Sequence, residues 1–153
     1  MRYQIIAQPK DAISAFVSIR QNQANPWGRV DGYSTLGLLR NGYLIAGVVY
    51  NNFEAKNVCA HIAAIEGRHW LNRQFLFAMF DYPFTQLGKN RITGLVARSN
   101  HTCRRFVRSL GFKLEGKMPG YYENDDMLIF GMLRKDCRWL QLAPHEQQLK
   151  EAA

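Results

Sequence analysis

The sequence predicts an α/β fold in which helices flank a mixed, mostly antiparallel central sheet with one parallel crossover. Three features carry this expectation. The runs Tyr33 to Arg40 and Tyr43 to Tyr50 are joined by Asn41-Gly42, a pair that suits a two-residue type I′ hairpin turn because both positions tolerate positive φ. Apolar residues at helical spacing between Asn72 and Tyr82 lie between two apolar strands, and a strand–helix–strand of this length suits a right-handed parallel crossover. Finally, the strand from Ile92 to Ala97 runs into Asn100, a one-sided helix and a Leu110-Gly111-Phe112 stop.

The elements follow in order. Arg2 to Ala7 alternates weakly and suits an edge strand. Asp11 is expected to N-cap a helix that places Ile13, Phe16, Val17 and Ile19 on one side. Gln21 to Gly32 is polar, with Pro26 and Gly28, and reads as a loop over a binding cleft. After the hairpin, Asn51-Asn52 opens a turn and Val58 to Ile65 completes a three-stranded meander. The helix from Asn72 carries Phe75, Leu76, Met79 and Phe80 on one side, and Pro83 is expected to end or kink it. Between about His101 and Leu110, Cys103, Phe106, Val107 and Leu110 share a face, and Gly111 supplies a left-handed stop. Two last strands, Phe112–Lys117 and Met127–Leu133, are expected to flank a loop from Met118 to Asp126. Residues 1–143 read as a single domain and 144–153 as a polar tail, without internal repeats.

Composition bounds the function. At 153 residues, with 47% hydrophobic and 21% charged residues, the chain suits one folded domain rather than a disordered segment. No apolar run is long enough to span a bilayer and no signal-type segment follows Met1, so a cytoplasmic protein without a membrane partner is expected. Three cysteines without a CxxC pair suggest neither a disulfide framework nor, with the four histidines out of ligand spacing, a metal site. The net charge of +8 favours polyanionic partners, either nucleic acid or a multiply phosphorylated cofactor, and is also common on proteins that bind neither.

Asn100, Cys103, Val107 and Gly111-Phe112, at offsets of three, seven and eleven to twelve residues from the asparagine, form a pattern with Tyr82-Pro83-Phe84, Leu87-Gly88, Asn90-Arg91 and Glu115-Gly116. Together these resemble the acetyl-CoA-binding core of the GCN5-related N-acetyltransferases, above all their ribosomal-protein-acetylating branch. The resemblance covers roughly Tyr33 to Leu133, and short chains of this kind also resemble phage-encoded members. It implies acetyl-CoA as cofactor and an amine, on a small molecule or a protein, as acceptor. It also implies that the acyl-pantetheine arm enters between the fourth and fifth strands, where backbone groups of Ala63, Ala64 and Ile65 would meet it.

The resemblance further implies a pyrophosphate loop at the start of the following helix. Here the chain reads Gly67-Arg68-His69-Trp70-Leu71-Asn72-Arg73, so Leu71 and Arg73 replace the family's glycine-type residues. Either Arg68 and Arg73 supply compensating contacts to the phosphates, or the chain is a relative that has lost the cofactor. Asn100 stands where the family binds the pantetheine arm and equally suits an N-cap. Arg105, like its neighbours Arg104 and Arg108, is either a contact for the 3′-phosphate or a solvated side chain. The family's tyrosine acid is replaced by Val107, and Cys103 takes the position of a serine. Its thiol is either a proton donor to the departing sulfur or plain core.

For the general base the candidates are His61, Glu54 and Glu66, His61 being also readable as a core histidine. Tyr121 and Tyr122 either line the acceptor cleft or decorate a turn. Two functions remain: an acetyl-CoA-dependent N-acetyltransferase, monomeric or homodimeric, or a catalytically degenerate binding protein on the same scaffold that holds nucleic acid or another protein on its basic surface.

Overall fold

In the computed structural model we describe residues 2–21, 32–67, 70 and 72–142. Among them seven strands form one sheet in the order β1-β2-β3-β4-β5-β7-β6. These are β1 (Tyr3–Ile6), β2 (Ser34–Arg40), β3 (Tyr43–Asn51), β4 (Asn57–Ala64), β5 (Arg91–Ala97), β6 (Lys113–Tyr122) and β7 (Asp125–Leu133). The helices are α1 (Lys10–Arg20), α2 (Arg73–Asp81) and α3 (His101–Leu110). Only β4 and β5 run parallel, joined through α2, and every other neighbouring pair is antiparallel. The expected mixed sheet with a single parallel crossover is the observed one.

Period-two alternation divides the side chains of β3 and β4 between two cores. Val48, Val58, Ala60 and Ile62 join Leu76, Met79, Phe80, Val107 and Leu110 on the face covered by α2 and α3. Val49 and Ala63 meet Val17 on the opposite face, under α1. Helix α1 lies close to its face because Gly37 and Gly47 present no side chain there. A Cβ at Gly47 would lie 3.1 Å from Val17 Cγ2. Tyr50 crosses the larger core and donates its buried hydroxyl to the Met79 carbonyl at 2.6 Å, tying β3 to α2.

Three expectations need correction. Pro9, not Asp11, occupies the N-cap position of α1, and Asp11 lies in the first turn, where the helix dipole favours a carboxylate. Ile19 is 70% exposed and does not share the buried face of α1. As expected, α2 ends just before Pro83, at Asp81. The chain widens into a π turn, Tyr82–Gln86, with the Leu87 N–H donating to the Tyr82 carbonyl at 3.0 Å. Pro83 itself has no N–H to donate.

The segment Met118–Asp126 is not a loop. Strand β6 continues to Tyr122 and β7 begins at Asp125, leaving a turn at Glu123-Asn124. The strand was hidden because β6 is an edge strand, largely exposed, with register shifts between Leu114 and Gly116 and between Met118 and Tyr122. An edge strand needs no clean apolar alternation.

Beside this edge, Arg91 pairs with the Glu115 carboxylate through both of its terminal nitrogens, over the bare backbone of Gly131. A Cβ at Gly131 would collide with both partners. Gly131→Ala is expected to lower stability by about 1–3 kcal/mol through overpacking. Glu115→Ala is expected to cost less than about 1 kcal/mol, since the pair is partly solvated. Urea denaturation of the two variants measures the difference.

Candidate active site

Strands β4 and β5 pair only through Asn57–Arg91, Val58–Ile92 and Cys59–Thr93, although β4 continues to Ala64 and β5 to Ala97. Past Cys59 the two strands part and leave an open edge inside the sheet. Strand geometry fixes which groups face that gap. The Ile65 N–H donates to the Ile45 carbonyl of β3 at 2.9 Å, and backbone groups point to alternate sides along a strand. Ala63 and His61 therefore also address β3, opposite Gly47 and Val49. Ile62 and Ala64 turn their N–H and C=O groups toward the gap. Of the three backbone amides expected to meet an acyl arm, the one on Ala64 faces the gap, while those of Ala63 and Ile65 are committed to β3.

The gap opens into a cleft of about 560 Å³. One wall is the backbone from Ile62 to Gly67, and the other is the start of α3 with Asn100, Cys103, Arg105 and Phe106. Asn100 caps α3 by accepting the Cys103 N–H at 3.1 Å, and Gly111 closes the helix with φ 108°. Trp70 closes the far end. Its ring meets Phe106 edge-on at 4.5 Å between centroids, and its N–H donates to the Gly67 carbonyl at 2.9 Å. Asn72 caps α2 by accepting the Phe75 N–H at 2.9 Å. That amide belongs to the set a phosphate would otherwise meet at this helix start.

The cleft thus brings together Ala63, Ala64, Ile65, Gly67, Asn100, Cys103 and Arg105. Arg73 is exposed at the first position of α2 and is not part of the lining, and Arg68 lies outside the described residues. His61 is also absent from the lining. It lies on the α1 side of the sheet with Nε2 3.0 Å from the Asn51 Oδ1, and burial lowers its pKa to about 4. A ring that resists protonation in this way is a weak proton acceptor. Of the three carboxylate and imidazole candidates, Glu66 is on the cleft wall.

Burial pushes the Cys103 thiol up to about 11, which keeps its proton in place at neutral pH. Cys103 also packs against the larger core.

A second cleft, of about 410 Å³, adjoins the first and shares Gln21, Asn100 and Thr102 with it. Tyr122 and Asp125 from the β6–β7 hairpin complete it, whereas Tyr121 is exposed and meets the Tyr122 ring edge-on at 5.1 Å. Asp125 accepts from the Ser99 hydroxyl and N–H, and these bonds hold its carboxyl below the usual range. Trp70, Thr102 and Phe106 carry no site signal in the local sequence. Gln21 begins the polar segment expected over a binding cleft, of which residues 22–31 lie outside the described ones.

Comparison with solved structures places this architecture. The chain is similar to the spermidine N-acetyltransferase of Vibrio cholerae in complex with CoA and spermine, at TM-score 0.66 and 15% identity over 88% of this chain and 96% of that one. It is similar to a dodecameric form of that enzyme, at TM-score 0.67 and 15% identity over 93% and 98% of the two chains. The ribosomal-protein-S18-alanine N-acetyltransferase of Escherichia coli aligns at TM-score 0.65 and 18% identity over 86% and 94%. The fold is the GCN5-related N-acetyltransferase fold. No protein-family model and no curated protein matches the sequence.

Among the described residues no helix is long and apolar enough to cross a membrane, and no three His, Cys, Asp or Glu side chains are grouped to hold a metal ion.

The His61 environment has a consequence for stability. The unfolded chain takes up a proton near the ordinary pKa of 6.5, whereas the folded ring does so only near 4. Stability is therefore lost as pH falls through this window, because the unfolded state binds the extra proton. His61→Gln, which keeps an N–H for Asn51, is expected to flatten the pH dependence of the unfolding midpoint between pH 6.5 and 4. An unchanged slope would refute it.

Proposed function

We propose that the chain is an acetyl-CoA-dependent N-acetyltransferase that acetylates a primary amine, on a small molecule or a protein, by direct attack on the thioester. The observation that carries this reading is the inward-facing open edge of β4 at Ile62 and Ala64, set against the capped start of α3 across one cleft. The residues present fit the cofactor. The unpaired edge offers an extended amide chain the hydrogen bonds of an added strand, Ala63 and Ala64 leave room for close approach, and Arg20 and Arg105 put positive charge on the cleft wall.

Acetyl-CoA, when bound, supplies an activated acetyl group on a good leaving sulfur. The chain's own contribution is placement and polarisation. The Ala64 N–H points into the gap and is free of the β3 ladder, so it can donate to a carbonyl oxygen placed there. The Cys103 S–H, kept protonated by burial, can donate to a sulfur that gains negative charge. Glu66 on the cleft wall can accept the proton of the attacking amine, directly or through water. No covalent enzyme intermediate is needed.

The start of α2 favours a second reading, a degenerate binding protein. There Asn72 already takes the Phe75 amide, and Leu71 and Arg73 stand in place of the family's glycine-type residues. Cytoplasmic location and a monomeric or homodimeric state belong to the first reading.

Acetyl-CoA is expected to raise the melting temperature while equimolar ATP does not. At a hundred times its dissociation constant, a ligand adds about 2.7 kcal/mol. No shift at millimolar acetyl-CoA would favour the binding-protein reading. For Cys103, serine is expected to retain turnover, and alanine to lower kcat with little change in cofactor affinity, the mark of an interaction made mainly in the transition state. Alanine with wild-type kcat would leave Cys103 to packing alone.

A further inference from the structure

The open edge of β4 is not bare. Gln21 follows directly on α1, and its backbone N–H closes the helix on the Val17 and Ile19 carbonyls, which fixes the residue's position. From there its side chain reaches the sheet. Nε2 donates to the Ile62 carbonyl at 3.3 Å, one of the groups that β5 leaves unpaired. The other end of the same carboxamide, Oε1, is buried and has no hydrogen-bond partner among the described residues. Gln21 also borders both clefts, standing where they meet.

A carboxamide is the side-chain equivalent of a peptide group, so Gln21 supplies to Ile62 the N–H that a neighbouring strand would. It does so imperfectly: the bond is long, and Oε1 has given up water without gaining a donor. A desolvated acceptor of this kind raises the energy of the state that holds it. The interaction is therefore good enough to cover the edge and poor enough to be exchanged.

We propose that Gln21 is the exchangeable cover of the acyl-arm channel. A secondary amide N–H of the entering arm replaces Gln21 Nε2 on the Ile62 carbonyl, and the released carboxamide turns toward the adjoining cleft, where it regains hydrogen-bond partners. Gln21 thereby competes with the arm for the Ile62 carbonyl, selects for ligands that carry an amide N–H at this depth, and couples arm binding to the second cleft. The inference rests on the acetyl-CoA reading, because it needs an amide-bearing arm in the gap.

The test compares wild type with Gln21→Ala by calorimetry, using acetyl-CoA and, separately, D-pantetheine, which has the same two amides without the nucleotide. With no cover to displace, the variant is expected to bind both ligands roughly fivefold more tightly, the factor that corresponds to about one net hydrogen bond. Equal or weaker binding by the variant, with wild type binding normally, overturns the inference and leaves the acetyl-CoA reading intact. Failure of wild type to bind either ligand removes that reading and the inference with it.

A second measurement needs no variant. The Gln21 side-chain NH₂ is expected to exchange slowly with solvent in the free protein and faster once acetyl-CoA saturates it, as followed by NMR. Exchange that stays slow in the complex overturns the inference as well.

Discussion

The parting of β4 and β5 after Cys59 is the constraint on which the rest of the molecule depends. Inside a sheet each strand normally satisfies its neighbour's backbone groups, and an unpaired polar edge in the interior is costly. Here three residue pairs, Asn57–Arg91 to Cys59–Thr93, join the two strands at one end only. The chain meets the resulting demand in two ways: α3 stands across the gap as a wall, and Gln21 reaches in to cover Ile62. The cleft is the remaining space. Its shape follows from what the backbone lacks more than from any cluster of reactive side chains.

The sheet also separates chemistry from support. Side chains at even positions of β4 pack under α2 and α3, and those at odd positions pack under α1. His61 falls on the α1 side, where burial lowers its pKa and Asn51 holds its ring. Cys103 falls on the cleft side, where burial instead raises the thiol's pKa. Desolvation acts on both residues and favours the neutral form of each. It makes the imidazole a weak base and keeps the proton on the thiol. The same physical effect thus has opposite consequences for two residues that a sequence presents as equals.

The start of α2 is the unusual part of the site. A helix N-terminus attracts anions through its unpaired amides and its dipole. In this chain Asn72 satisfies one of those amides, and Trp70 donates to the Gly67 carbonyl while its ring meets Phe106. The positive charge that remains nearby is carried by side chains, with Arg20 and Arg105 on the cleft wall. Flexible cations attract phosphate at longer range but define its position less sharply than fixed amides do.

By itself the sequence determined the order of strands and helices, the Asn41-Gly42 hairpin, the apolar faces of α2 and α3, and Asn100 and Gly111 as the ends of α3. These depend on short-range periodicity and turn chemistry, which local residues encode. The resemblance carried by Asn100, Leu110-Gly111-Phe112 and their neighbours also pointed to Ala63 through Gly67 and to Cys103. Tertiary structure decided the rest. Which amides of β4 are free depends on register with β3, and a register is a property of two strands. The side of the sheet on which His61 lies follows from that same pairing. The extension of β6 to Tyr122 depends on β7 alone, since an edge strand has a neighbour on one side only. Gln21 was legible as the first residue of a polar segment expected over a binding cleft. Its role arises from a contact spanning forty-one residues of chain, which no local pattern can specify.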